Sequence, residues 1–288
     1  MCKEVIEYLN LKDGDCVLDA TVGTGGHAKA ILEAIGPNGR LIGIDRDLDS
    51  LLFAKSNLAS FSANITLVHD DFRNLDKILK DLKVKAVDGM LFDLGISSFQ
   101  LDDPKRGFSF RTDAPLDMRM DKNSYISAYE LINYLSEPEL ASIIKTFGEE
   151  RWHNRIARFL VQERSKTPIS TTDQLAQIII KAIPYKGRFI GIHPATRTFQ
   201  AIRIAVNREL EALEIALDRA VGFIKPTGRI CVISFHSLED RIVKKKFKVL
   251  LKEGIANVIT PKPVRPLDEE MASNLRSRSA KLRVMERR

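Results

Sequence analysis

The chain has 288 residues, 44% of them hydrophobic and 7% aromatic, which is enough to bury the core of one domain and an insertion. No apolar run approaches the roughly 20 residues of a membrane span, and residues 1–10 lack the pattern of a secretory signal. Cys2, Cys16 and Cys231 are too scattered for a disulfide framework or a zinc site, so we expect a cytoplasmic protein without a metal. The net charge of +7 indicates a polyanionic partner.

The first clear pattern is a short strand followed by a glycine turn, in the run CVLDATVGTGGH. Residues 16–18 are apolar, as a buried parallel strand requires, and Asp19 stands at the carboxyl end of that strand. Glycines allow positive φ angles and bring bare backbone close to a ligand, and here they are Gly23, Gly25 and Gly26. The pattern predicts a cradle for a nucleoside cofactor.

A helix over 28–35 and a second strand over 41–44 follow the turn, and the second strand ends at Asp45. Asp45 follows Gly25 at a distance of about 20 residues, where a carboxylate binds the hydroxyls of a ribose in folds of this kind. The ligand is therefore expected to contain adenosine.

Two classes of cofactor use this arrangement. Gly23, Gly25 and Ala28 satisfy the G-x-G-x-x-A pattern of a dinucleotide site, but one match of that pattern is weak. Asp19 argues against a dinucleotide, because a carboxylate so near the turn would face a pyrophosphate. S-adenosylmethionine instead carries a positive charge and an α-amino group that a carboxylate attracts. The sequence thus favours S-adenosylmethionine over NAD.

The third and fourth predicted strands, 65–68 and 86–92, also end in polar residues. After the third strand, Phe72 and a neighbouring polar group are placed to bracket an adenine ring. Open α/β sheets bind ligands beyond the carboxyl ends of their strands, so one crevice is expected. Its carboxylates are Asp19, Asp45, Asp70 or Asp71, and Asp93.

The alternation of strands and helices stops after Asp93 and resumes near the strand 229–234. The predicted helices in between are 129–134, 137–146, 152–163 and 172–182, followed by apolar residues at helical spacing over 199–221. We expect a cofactor-binding domain of residues 1–100 and 199–288. Residues 101–198 form a helical insertion, predicted to recognise the substrate.

Seven blocks distributed along nearly the whole chain resemble the bacterial MraW/RsmH family. They are DATVGTGGH, GIDRD, FDLGISSFQLDDPKRGFSFRTDAPLDMRMD, GEERWHNRIA, TFQAIRIAVNREL, SFHSLEDRIVK and RSRSAKLRV. The resemblance implies a Rossmann-like class I methyltransferase sheet with a mostly helical inserted domain. It also implies an S-adenosylmethionine-dependent enzyme that methylates N4 of a cytidine in 16S ribosomal RNA.

The resemblance carries specific cofactor contacts onto this sequence. They fall on Gly25, Gly26, His27, Asp45, Phe72, Asp93 and Gln100. The amine of cytosine is a poor nucleophile, so the enzyme must position it and accept hydrogen bonds from its protons. The candidates are Asp93, which orients the cofactor or accepts a hydrogen bond from the amine, and Ser97 or Ser98, which lines the base pocket.

A second candidate cluster, SFHSLEDR, follows the fifth predicted strand. His236 is a candidate to relay the proton lost on methylation. The alternative is structural: Ser237 caps the next helix, and Asp240 completes a capping box in its shorter-acid form.

Two basic segments are candidates for contact with RNA phosphates. One is a predicted helix with Arg241, Lys244, Lys245, Lys246, Lys248 and Lys252, and the other is the tail with Arg276, Arg278, Lys281, Arg283, Arg287 and Arg288. Trp152 with Arg151, Arg155 and Arg158 either stacks on or steers RNA, or is a partly buried aromatic among solvated charges.

The predicted partner is 16S ribosomal RNA or the small ribosomal subunit, with no membrane contact. The sequence does not determine the oligomeric state, and a homodimer is one option. Two other functions stay open, namely a methyltransferase of another substrate and a non-catalytic ribosome assembly factor that binds S-adenosylmethionine.

Overall fold

Strands and helices alternate along the first part of the chain, as its apolar runs predict. The structure is a computed structural model that describes residues 1–184 and 191–288. Its strands are β1 (Cys16–Asp19), β2 (Arg40–Asp45), β3 (Ile65–His69), β4 (Val87–Asp93), β5 (Ile224–Ser234), β6 (Ala256–Val258) and β7 (Lys281–Arg287).

The helices continue this pattern and dominate the middle of the chain. They are α1 (Cys2–Leu9), α2 (Gly26–Ile35), α3 (Leu48–Asn57), α4 (Leu75–Asp81), α5 (Ser98–Asp102), α6 (Ala128–Tyr134), α7 (Glu137–Gly148), α8 (His153–Arg164), α9 (Thr172–Ala182), α10 (Thr196–Asn207), α11 (Glu209–Ala220), α12 (Ser237–Lys252) and α13 (Asp268–Ser273). In the parts of the chain that the structure describes, no helix is both long enough and apolar enough to cross a bilayer.

The chain divides into two units, of which the first comprises Met1–Gly95 and Leu210–Arg288 and the second Ile96–Glu209. The sequence placed the boundaries at 100/101 and 198/199. The second boundary lies later in the structure because α10 packs against α7, within the second unit.

The sheet of the first unit has the order β3-β2-β1-β4-β5-β7-β6. The strands from β3 to β5 are parallel, whereas β7 runs antiparallel to both β5 and β6. Since β1 pairs with both β2 and β4, the carboxyl ends of these strands lie side by side at one edge of the sheet.

Both faces of this sheet are covered by helices. Successive strand residues point to opposite faces, so Val17 and Leu41 pack in one hydrophobic cluster, and Leu18 and Ile42 in the other. Helices α1, α2 and α3 contribute to the first cluster, and α4, α11 and α12 to the second. This doubly wound α/β sheet confirms the predicted Rossmann-like fold.

Residues 281–287, which carry part of the basic tail predicted to contact RNA phosphates, form the strand β7 within the sheet. Arg283 is buried, and its Nε donates to Asp240 Oδ1 at 2.6 Å. Lys281 Nζ donates to Asp240 Oδ2 at 3.1 Å, and the Arg287 guanidinium donates to the Ile224 carbonyl. Partners inside the protein therefore neutralise or bind these cations.

Two local features between residues 199 and 234 differ from the predicted elements. The apolar pattern over 199–221 forms two helices, because Arg208 adopts a left-handed backbone with a φ of 49° between α10 and α11. The predicted strand 229–234 is part of a longer strand, β5, which begins at Ile224; within it the register with β4 shifts and Thr227 has a φ of 64°. Apolar spacing alone does not reveal such single-residue breaks.

The second unit has its own core. α7 packs against α8 and α10, and α8 packs against α9. Met118, Ile132, Leu140 and Leu160 are among its fully buried residues. A capping box starts α7, since the Glu139 carboxylate accepts from both the backbone and the hydroxyl of Ser136.

Candidate cofactor site

Three carboxylates mark the ends of neighbouring parallel strands in the first unit. β1 ends at Asp19, β2 at Asp45 and β4 at Asp93. In the register of the sheet, Asp19 lies opposite Gly43 of β2 and Leu91 of β4. The three side chains thus occupy the same edge, as the sequence predicts, at the place where open α/β sheets bind ligands.

The glycine turn connects this edge to α2. Gly23 has a φ of 53°, and its backbone N–H donates to Asp45 Oδ2 at 2.8 Å, which fixes the turn to the end of β2. Gly25 has a φ of 93°, and a Cβ there would lie 3.0 Å from Leu58 Cδ1, so only glycine fits. Gly26 is helical and not left-handed, and a Cβ on it would meet no atom of the described chain within 4 Å.

Asp19 is fully buried at the base of the turn. Its Oδ1 accepts a hydrogen bond from Thr21 N at 3.1 Å, whereas its Oδ2 has no hydrogen-bond partner among the described residues. Burial, which disfavours the charged form, raises the pKa of Asp19 to about 7. The positive charge of His27 opposes this effect without overcoming it.

Asp93 forms an ion pair with His27 beside the same turn. His27 Nε2 lies 3.3 Å from Asp93 Oδ2, and Asp93 Oδ1 is buried without a hydrogen-bond partner in the described parts of the chain. Burial is the largest single effect on His27 and lowers its pKa, but the hydrogen bonds to Asp93 and Cys2 and the charges of Asp93 and Asp19 together raise that pKa to about 10. His27 is therefore a cation at neutral pH.

Asp45 is held by the backbone. In addition to the Gly23 contact, its Oδ1 accepts from Asp47 N at 2.9 Å. Burial raises the pKa of Asp45, and these two hydrogen bonds lower it in part. A carboxylate offers about four acceptor positions, so capacity for two ribose hydroxyls is left.

Asp71 and Phe72 follow β3 and differ in character. Asp71 is paired with two arginines, at 3.5 Å from Arg46 and 3.1 Å from Arg73. The Phe72 ring is nearly buried and meets the Phe92 ring edge to face, with centroids 5.9 Å apart. The Arg46 guanidinium lies over the Phe72 ring at 5.9 Å. A flat apolar surface is thus fixed in place next to the strand ends.

Three further predicted site residues, Ser97, Ser98 and Gln100, belong to the second unit. Ser97 is the N-cap of α5, and its hydroxyl accepts from Gln100 N at 3.1 Å. The Gln100 carboxamide oxygen accepts from Ser97 N at 2.9 Å, which completes a capping box. Ser98 is exposed in the first turn of α5. Their predicted roles toward cofactor and base stay predictions.

The N-cap of α12 is His236, so the prediction that Ser237 and Asp240 form the capping box is wrong. His236 Nδ1 accepts from Glu239 N at 3.4 Å, and the Glu239 carboxylate accepts from His236 N at 3.3 Å. His236 Nε2 also lies 3.1 Å from Glu239 Oε1, with both side chains at most 10% exposed. The helix starts one residue earlier than expected, because an imidazole nitrogen can accept the N-cap hydrogen bond.

Sequence reasoning missed two residues of the site. Thr21 Oγ1 accepts from Asp93 N at 2.6 Å and so connects the glycine turn to the end of β4. No pattern marked it, because small polar residues are ordinary in turns. Arg46 could have been suspected from its place directly after Asp45.

The hydrogen-bonding groups at this edge of the sheet fit a nucleoside that carries a positive charge better than a dinucleotide. Asp19 Oδ2 and Asp93 Oδ1 are buried acceptors that receive no hydrogen bond from the described residues. Other carboxylates lie nearby, since the charges of Asp93 and Asp45 act on Asp19. A pyrophosphate would be repelled by them, whereas an ammonium or sulfonium group would supply the missing positive charge. The structure thus supports the preference drawn from Asp19.

The comparisons with known proteins agree with this geometry. The chain is 49% identical over 302 residues to the ribosomal RNA small subunit methyltransferase H of Halothermothrix orenii, covering 100% of this chain and 97% of that protein. It is 49% identical to the protein of the same name from Geotalea uraniireducens, again covering 100% and 97%. The Clostridium botulinum protein of that name is 47% identical, covering 99% and 96%. The family model described as the MraW methylase family matches residues 1–288, and this chain therefore belongs to that family.

Proposed function

We propose that this chain transfers a methyl group from S-adenosylmethionine to N4 of a specific cytidine in 16S RNA of the small ribosomal subunit. The observation that carries the proposal is the match of residues 1–288 to the MraW methylase family. It is supported by relatives that carry the name ribosomal RNA small subunit methyltransferase H and align over nearly their whole length.

The first unit offers the groups that would hold the cofactor. Asp45 would accept hydrogen bonds from the ribose hydroxyls, and Phe72 would pack against the adenine. The acceptors Asp19 Oδ2 and Asp93 Oδ1, which lack donors in the described chain, would face the positively charged end. S-adenosylmethionine supplies a methyl group on a sulfonium, which is open to attack by a neutral nucleophile.

The protein must then activate a weak nucleophile. The lone pair of the cytosine amine is delocalised into its ring, so the amine reacts only when it is positioned and its protons find an acceptor. Asp93 is proposed for this role, because its Oδ1 is buried without a hydrogen-bond partner among the described residues, while its Oδ2 pairs with His27. Ser97 and Ser98 are proposed to line the base pocket, and His236 to relay the released proton.

The test is methyl transfer from labelled S-adenosylmethionine to small ribosomal subunits that lack the modification, with the nucleosides separated by mass spectrometry. We expect N4-methylcytidine in the RNA. Cofactor binding without any methylated nucleoside would contradict the proposal and favour a non-catalytic assembly factor. A methylated product other than RNA would favour a methyltransferase of another substrate.

A matched pair of variants on β4 tests the role of Asp93. Asp93→Asn keeps the shape of the side chain and removes its charge, so kcat should fall by about 100-fold or more. Asp88, at the other end of the strand, pairs with Lys225 at 2.8 Å, and Asp88→Asn should keep kcat within about threefold. Equal rates in the two variants would remove Asp93 from the chemistry.

A further inference from the structure

The second unit carries three exposed arginines at the N-terminal half of α8. Arg155 and Arg158 lie within the helix at a separation that places them on one face, and Arg151 precedes it. All three side chains are exposed. We refer to Arg151, Arg155 and Arg158 as the arginine row.

The arginine row differs in its partners from the arginines that form ion pairs. Across residues 1–184 and 191–288, none of the three forms an ion pair with a carboxylate. The adjacent Glu150 is buried, and its carboxylate accepts from Trp152 N at 2.9 Å. Arg203, elsewhere in this unit, differs from them, because its guanidinium forms an ion pair with Glu209 at 2.8 Å.

Aromatic rings hold two of the guanidinium groups in place. The Arg151 guanidinium lies 5.1 Å from the centre of the Trp152 ring, and that of Arg155 lies 5.4 Å from the centre of the Phe159 ring. Both rings are partly buried against the core of the unit. Stacking restricts a guanidinium but leaves its N–H groups free at the edge, so an acceptor can bind with less loss of side-chain entropy.

The shape of the arginine row matches a chain of phosphates. Arg155 and Arg158 are separated by about 4.5 Å along the axis of α8, and phosphates follow one another along a nucleic-acid strand at a spacing of about 3.4 Å along the axis. Arginine forks bind phosphate oxygens in bidentate geometry. We propose that the arginine row contacts the backbone phosphates of the RNA substrate, an inference that rests on the proposed function.

This assignment gives Trp152 a supporting role. Its ring is partly buried and lies under Arg151, so it orders the guanidinium and is not a free platform for a base. The exposed lysines of α12, such as Lys244 and Lys248, also carry charge. A lysine is a strongly hydrated point charge on a flexible stem, so it steers RNA without holding it in a register.

The test compares two double variants that each remove two positive charges from the second unit. Arg155→Gln with Arg158→Gln alters the arginine row, whereas Lys145→Gln with Lys181→Gln alters exposed lysines in the last turns of α7 and α9. Affinity for a fragment of small-subunit ribosomal RNA is measured by fluorescence anisotropy between about 50 and 200 mM salt.

We expect the arginine variant to bind RNA at least about tenfold more weakly and its salt slope to shrink by about 1.4 to 1.8, because each phosphate contact contributes about 0.7 to 0.9. The lysine variant should keep the wild-type slope. Equal slopes in the two variants would overturn the inference. Circular dichroism and S-adenosylmethionine affinity, measured on both variants, show whether they fold, and an Arg155→Lys and Arg158→Lys variant should restore part of the affinity.

The inference and the proposed function fail in different ways. RNA binding that depends on the arginine row, with no methylated nucleoside in the wild-type reaction, would contradict the proposed function and keep the binding surface. If the wild-type protein methylates RNA and the arginine variant binds RNA as well as the lysine control does, only the assignment of the arginine row to RNA phosphates is contradicted.

Discussion

Asp19 combines full burial with a carboxylate oxygen that lacks a donor in the described chain. Leaving a buried acceptor unpaired costs about 1–3 kcal/mol, and proteins tend to keep such groups where they serve function. Asp93 Oδ1 shares this feature at the end of the neighbouring strand β4. At the scale of single residues, the site is thus an acidic pair of acceptors that a bound cation would complete.

The raised pKa of Asp19 makes cofactor affinity depend on pH. Asp19 titrates at about 7 in the free protein, and a cation prefers its ionised form. Binding at lower pH must release a proton, so the affinity for S-adenosylmethionine should rise from about pH 5.5 and level off above about pH 7.5, by up to tenfold per unit at the acidic end. Isothermal titration calorimetry measures this directly.

Variants separate Asp19 from other sources of pH dependence. Asp19→Asn should bind the cofactor more weakly and with a flat profile over that range, whereas Asp88→Asn should keep the wild-type slope. A slope that survives in Asp19→Asn would assign the titration to another group.

At the scale of elements, α12 and β7 are joined by a shared carboxylate. Asp240 in the first turn of α12 accepts from Arg283 and Lys281 of β7. Burial alone raises the pKa of Asp240, but the hydrogen bonds from these two cations outweigh it and lower the pKa below its ordinary value. The negative charge also suits the N-terminal end of a helix.

Asp240→Asn should lower the free energy of unfolding by about 3 kcal/mol, because the variant leaves Arg283 buried without its partner. A carboxyl group whose pKa is lowered by folding stabilises the fold at pH values above the pKa that it has in the unfolded chain. Wild-type stability should therefore fall as the pH drops below about 4, and the variant should lack this part of the loss.

Urea unfolding over a pH series measures both effects. The control is Asp218→Asn, since Asp218 of α11 is 66% exposed where it pairs with Lys246 of α12, and its loss should cost less than about 1 kcal/mol. Equal destabilisation by the two variants would contradict a special role for the buried pair.

At the scale of the molecule, strands from the beginning and from the end of the sequence belong to one sheet. β7 lies between β5 and β6, and β6 pairs with β7 at Ala256, Asn257 and Val258. Leu282, Val284 and Met285 of β7 are fully buried. β7 is therefore an internal strand of the sheet of the first unit.

Removing residues 281–288 should prevent the first unit from folding, because it deletes an internal strand and exposes its apolar neighbours. We expect little folded protein and no measurable S-adenosylmethionine binding, with circular dichroism and calorimetry as readouts. Removal of Arg288 alone keeps β7 and should keep binding. A folded truncated chain with wild-type affinity would contradict this account.

The sequence alone determined the features that depend on neighbouring residues. The strands from β1 to β4, the glycine turn and the carboxylates after the strands follow from apolar runs, from the special φ of glycine and from short spacings. The helices of the second unit follow from periodicity and capping residues in the same way. The family blocks added the reaction and the substrate, which no local pattern contains.

The tertiary structure decided what depends on partners distant in the chain. The basic C-terminus is a strand because β5 and β6 pair with it, and Arg283 is neutralised by Asp240, 43 residues earlier. The N-cap of α12 at His236 and the break between two helices at Arg208 each depend on a single residue, which the spacing of apolar residues does not reveal. The folded structure also shows that Asp19 and Asp93 each keep one acceptor oxygen without a donor among the described residues. This could not be read from the sequence, because it depends on all the other hydrogen bonds of the folded site.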